Sequence, residues 1–158
     1  MANKLRRLHQ RWRRWRTLSG AERRVFCQAS LLLPGCRFAL WWVSFQRLQS
    51  LISRLRPCAR QRGAIAATSV AAMVSSAAAL SPLDYSCLHR SLALCWLLAR
   101  RGVAGQLRIG VRQDENGFTA HAWVEIDGVP INDVPEVRAR FTAFERDFAA
   151  AGGRKETG

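Results

Sequence analysis

Acid is scarce at the start of this chain. Residues 1–62 contain fifteen lysines and arginines but one carboxylate, Glu22, whereas residues 63–158 hold ten basic and ten acidic side chains. The formal net charge of +14 therefore belongs to the N-terminal third, and the remainder is electrostatically balanced. Paired cysteine spacing is also missing. Cys27, Cys36, Cys58, Cys87 and Cys95 are odd in number and none stands in C-x-x-C spacing, which argues against a zinc ribbon or a thioredoxin-type motif. No secretory signal precedes them, because the first apolar run begins behind a long Arg-rich segment. A reduced, cytoplasmic protein without metal or cofactor is expected. With 158 residues, 49% of them apolar, the chain suits one domain with a modest core rather than disorder. There is no internal repeat.

Four regions are expected: a basic Arg/Trp-rich segment over 1–18, a helical region over 19–62, a core over 63–150 and a disordered tail over 151–158. Leu5, Leu8, Trp12 and Trp15 share one helical face of the basic segment. Ser19 and Glu22 have the offset of a capping box, which predicts a helix starting near Gly20. Pro34 and Gly35 should break or kink it, and Pro57 should close the region. Residues 27–45 are long enough to span a membrane. Pro34-Gly35, Gln28 and arginines on both flanks instead favour a core-packing helical pair.

Alanine-rich residues 63–80 predict a helix that neighbours can approach closely. "SPLD" at 81–84 reads as another helix start. That helix either runs into Cys87 or restarts there after a turn at 84–86, and Arg100, Arg101 and Gly102 end it. The period then changes. "QLRIGVR" and "FTAHAWVEI" alternate as strands, with turns at "DENG" and at Asp127-Gly128. "VPIND" would be a short third strand with Pro130 near an edge, and "VPEVRARFTAFERDF" a last amphipathic segment. The expected fold class is α+β, helices first and then an antiparallel meander.

Three residues stand out chemically. Cys87 falls at or near a helix N-terminus, where unpaired N–H groups and the dipole favour a thiolate; the alternative is a small buried side chain. His121 lies on one strand face with Thr119, Trp123 and Glu125, and Trp123 could shield it as a general base; the alternative is a partly exposed strand histidine. Asp133 lies about as far after the Asp127-Gly128 turn as His121 lies before it, so it could hold one imidazole nitrogen and leave the other for a thiol. Asn132 should point to the opposite face. Cys95, two turns into the Cys87 helix, reads as buried and apolar, and His89 as a surface histidine.

Helix-borne Cys, strand-borne His and strand-borne Asp follow the chain order of the papain-like transglutaminase superfamily. "CLHRSLALCWLLARRGVAGQLRIGVR", "FTAHAWVEIDGVPIND" and "VPEVRARFTAF" closely resemble the peptidase half of the transglutaminase-like B proteins of lasso-peptide biosynthesis. Residues 21–48 resemble that family's helical N-terminal region more loosely. The resemblance implies a helical region followed by a papain/transglutaminase-like core, its catalytic helix packed on a small antiparallel sheet. It implies a cysteine protease that removes the leader from a ribosomal precursor peptide, with Cys87 as nucleophile, His121 as base and Asp133 as orienting acid. Arg90 and Trp123 match family positions as supporting residues. A preference for threonine beside the last leader residue is implied too. The released core would pass to an ATP-dependent lasso cyclase, the lactam synthetase.

Fused members carry a leader-recognition domain ahead of the peptidase. The N-terminal residues here lack the strand alternation that domain needs, so the resemblance points to the split form and a separate leader-recognition protein. Residues 4–16 could then attract that partner, touch an anionic membrane, or keep the protein soluble; partner docking is the preferred use. The competing readings are a basic nucleic-acid- or membrane-binding protein built on residues 1–62, and an acyl transferase using the same three residues. The first leaves Cys87, His121 and Asp133 unexplained, so nucleic acid is not the expected partner.

Overall fold

The computed structural model describes residues 18–55, 65–114 and 117–143. The expected helix over 4–16, the closure at Pro57 and the middle of the "DENG" turn lie outside the described residues. Helix α1 (Gly20–Trp42) starts at the capping box: the Ser19 N–H donates to Glu22 Oε2 at 2.7 Å and the Glu22 N–H to Ser19 Oγ at 3.2 Å. Pro34 does not break α1, contrary to expectation. Proline removes one backbone hydrogen bond at a cost of roughly 3 kcal/mol, but Val25, Ala29, Leu33 and Cys36 are buried on both sides of it. Burying two or three such side chains outweighs the loss. The chain bends later, at Val43-Ser44, and α2 (Phe45–Ser53) follows. Among the described residues no helix is long and apolar enough to cross a membrane.

Helix α3 (Ala67–Leu80) packs on α1, and Val70, Val74 and several small residues along it are buried. "SPLD" does not start a helix. Ser81 instead ends α3, and its Oγ accepts the Leu83 N–H at 3.1 Å, a local turn that competes with helix formation. The next helix, α4 (Cys87–Ala99), begins on the cysteine itself. It is central, with Leu92, Ala93, Leu94, Leu97 and Leu98 fully buried between α1, α3 and the sheet. Arg101, also buried, ties its end to α1 by donating to Leu97 O at 2.7 Å and Gln28 Oε1 at 3.1 Å.

The sheet has the order β3-β2-β1-β4 and is antiparallel throughout. Strands β1 (Gln106–Asp114) and β2 (Gly117–Ile126) form its long hairpin, with Gly110 opposite His121 and Arg108 opposite Trp123. The turn to β3 (Val129–Pro130) has positive φ at both Asp127 (50°) and Gly128 (79°), the primed conformation that Asp-Gly favours. "VPIND" as a whole is not a strand: Pro130 has no N–H to continue the ladder, and only the Ile131 N–H reaches back, to Val124 O at 3.0 Å.

The amphipathic segment expected over 134–148 is described as far as residue 143. It makes one short helix, α5 (Val137–Arg140), and then β4 (Thr142–Ala143), which pairs with the free side of β1. A Cβ on Gly110 would lie 2.9 Å from Phe141 Cβ and 3.0 Å from Trp123 Cη2, so its missing side chain makes this close approach feasible. The result is α+β, with N-terminal helices followed by an antiparallel sheet.

Candidate active site

Cys87, Arg90, His121, Asn132 and Asp133 line one cavity of about 100 Å³, walled by small and apolar side chains of α3 and α4. Cys87 is the first residue of α4 and is half-buried. The first turn of a helix leaves backbone N–H groups without intrahelical acceptors, and the dipole favours negative charge there. Arg90, one turn further along α4, adds a fixed positive charge beside the cavity.

His121 projects from the middle of β2. Its Nε2 is hydrogen-bonded to Asp133 Oδ2, and Asp133 Oδ1 accepts the Val134 N–H at 2.8 Å. With Nε2 engaged, Nδ1 has no partner among the described residues. The imidazole ring is flanked on its strand face by Trp123 (centroids 6.2 Å apart, 21° between planes) and Phe141 (5.0 Å, 32°). Trp123 is fully buried, and its indole N–H donates to Glu125 Oε1 at 2.8 Å. Glu125 is fully buried as well and meets Arg108 Nε at 3.3 Å and Arg138 Nε at 3.2 Å. The alternation of His121, Trp123 and Glu125 thus forms a layered support: imidazole, indole, carboxylate, guanidinium.

Three side chains have surroundings that the sequence reading missed. His89 is half-buried rather than a free surface histidine, and it closes the start of α4: its Nδ1 accepts the Ser86 N–H at 3.1 Å and lies 2.6 Å from Ser86 Oγ. Burial, aided by the Arg37 charge, lowers its pKa. Asn132 does not point away from the site region. Its Oδ1 accepts the Val124 N–H at 2.7 Å and its Nδ2 donates to Ser91 Oγ at 3.2 Å. Ser91, fully buried, donates in turn to Ala122 O at 3.1 Å. A lone serine at an inward position of the apolar run "SLALCWLL" was the available signal.

The other thiols differ sharply from Cys87 in setting. Burial pushes Cys36 up to about 11 and Cys95 up to about 12, so both remain thiols near neutral pH. Cys27 is exposed on α1. Among the described residues no group of three His, Cys, Asp or Glu side chains is placed to hold a metal ion.

A helix that starts on a thiol and packs against a strand whose histidine is held by an aspartate from the loop after β3 is the layout of the transglutaminase-like class. Comparison of families agrees: the model described as the transglutaminase-like superfamily matches residues 30–146, and the chain belongs to that superfamily. Over 58 residues it is 41% identical to the microcin J25-processing protein McjB of Escherichia coli, a stretch covering 37% of this chain and 27% of that protein. The match thus spans about a quarter of that relative's length. No solved structure matches the chain.

Proposed function

We propose that this protein is a cysteine peptidase that removes the leader from a lasso-type precursor peptide. One observation carries the reading: Asp133 engages His121 through Nε2, leaving Nδ1 unpaired on an imidazole that lines the same cavity as the helix-start thiol of Cys87. The similarity to a microcin-processing protein supports the substrate class.

In this mechanism Cys87 Sγ attacks the carbonyl carbon of the scissile amide while His121 takes the thiol proton. His121 then gives that proton to the departing amine, which is the N-terminus of the core peptide. The leader is held as a thioester on Cys87 until water, deprotonated by His121, releases it as a carboxylate. Asp133 orients the imidazole and stabilises its charged form. Arg90 and Trp123 support the pair, the first by charge and the second by excluding water. A separate leader-recognition protein delivers the precursor, and an ATP-dependent cyclase consumes the freed amine.

The test is cleavage of a synthetic precursor in the presence of the recognition protein. Cys87→Ala and His121→Ala abolish it, and Asp133→Asn slows it by roughly 10²–10⁴-fold through lost orientation. Cys95→Ala keeps most of the activity. Cleavage by the Cys87→Ala protein would overturn the assignment.

A further inference from the structure

We propose that the outer face of α1 beds on the surface of an anionic lipid bilayer. The buried side of α1 is taken up by α3 and α4. Its outward side is an apolar stripe: Leu31, Phe38, Trp41 and Trp42 are 77%, 65%, 80% and 86% exposed. Leu31, Gly35, Phe38 and Trp42 follow one another at helical spacing, a run of roughly 16 Å along the axis. A Cβ on Gly35 would meet nothing within 4 Å, so no described residue covers the centre of the stripe. Leu51 of α2 is exposed as well, at 57%. Isolated exposed apolar residues are ordinary, but four large ones on one helix face mark a contact surface.

Charge selects the occupant. The described residues between Glu22 and Asp84 include five arginines, Arg23, Arg24, Arg37, Arg47 and Arg54, and no acid. A second copy of the same face would set arginine against arginine. A bilayer rich in anionic headgroups offers uniform negative charge over an apolar interior, and tryptophan favours that boundary. Since no described helix suits a span, α1 lies on the membrane rather than across it. The cavity holding Cys87 is bounded by α3, α4 and β2, so this contact leaves it free.

Flotation of the full chain with vesicles tests the proposal. Mixed phosphatidylcholine–phosphatidylglycerol vesicles carry the protein upward, and pure phosphatidylcholine vesicles do so far less. The Trp41→Ser/Trp42→Ser double variant keeps every charge, including those of residues 4–16, and it lowers partitioning onto the mixed vesicles by at least about tenfold. Its thermal unfolding matches wild type because both side chains are exposed. Absence of flotation by the wild-type protein overturns the proposal. Equal flotation of the double variant also overturns it, because binding would then rest on charge alone.

Discussion

Ser91→Ala is a small change with a consequence that the geometry lets one calculate. Residues 122 and 124 of β2 turn their backbone groups toward β3, but β3 ends at Pro130. Beyond that point side chains replace the missing strand: Asn132 Oδ1 takes the Val124 N–H and Ser91 Oγ donates to Ala122 O. Removing the hydroxyl leaves Ala122 O without that donor and Asn132 Nδ2 without its acceptor, in surroundings where Ser91 is fully buried. A lost hydrogen bond with an unsatisfied buried partner costs roughly 1–3 kcal/mol, so about 2 kcal/mol is expected. Asn132→Ala strips Val124 N of its acceptor and should cost about the same. Because the two side chains share a bond, the double variant should fall short of the sum by about 1 kcal/mol. Urea unfolding followed by tryptophan fluorescence measures all three. Ser91 stands one helical turn after Cys87, and Ala122 adjoins His121, so slower precursor cleavage should accompany the loss. A Ser91→Ala cost below about 0.5 kcal/mol, additive with Asn132→Ala, would refute the network as a structural brace.

Gly110→Ala places a methyl group within 2.9 Å of Phe141 Cβ and 3.1 Å of Thr142 O, neither of which can swing aside, so a loss of about 1–3 kcal/mol with weakened near-UV dichroism is expected. His89 titrates below its usual 6.5 when folded, because burial disfavours the cation. Above pH 6.5 it is neutral folded or unfolded and costs nothing; as pH falls below that value the unfolded chain takes up a proton first, and stability declines. His89→Gln keeps an acceptor for the Ser86 N–H and should flatten that part of the acid limb in pH-resolved melting curves. Iodoacetamide near neutral pH should spare Cys36 and Cys95, raised to about 11 and about 12, until denaturant is added, as peptide mapping would read.

The legible parts of the fold were those set by local chemistry. The Ser19–Glu22 capping box marked the start of α1 to the residue, and the alternation in "FTAHAWVEI" put His121, Trp123 and Glu125 on one face. The misreadings came where distant packing overrode a local rule. Pro34 ought to end a helix, yet the core on either side of it holds α1 together. Residues 134–148 read as one amphipathic segment; within it Val137 turns inward on a short helix, and pairing with β1 makes a strand of Thr142-Ala143 that nothing local announces. Cys87 and His121 were separately visible as a helix-start thiol and a strand imidazole. Their juxtaposition was expected only from the resemblance, since no local pattern fixes how α4 packs against β2.

Glu125 explains why that packing is tight on the far side of the imidazole. A fully buried carboxylate is costly unless its oxygens are satisfied, and here they meet an indole N–H and two guanidinium groups. Arg108 reaches it from β1, and Arg138 reaches it from α5 while also donating to Gly128 O at 3.2 Å. One buried charge therefore ties β1, β2, α5 and the β2–β3 turn together. The short helix so anchored leads directly into Phe141, whose ring lies against His121 and over which Arg112 is placed at 5.3 Å. On this face the imidazole is held by stacked rings and an ion-pair cluster. Across the sheet, Asn132 and Ser91 fasten the same strand to the helix that starts on Cys87. The cluster around Glu125 and the Ser91–Asn132 brace thus act on opposite sides of β2, and a thiol and an imidazole from distant parts of the chain border one cavity because both hold the strand in place.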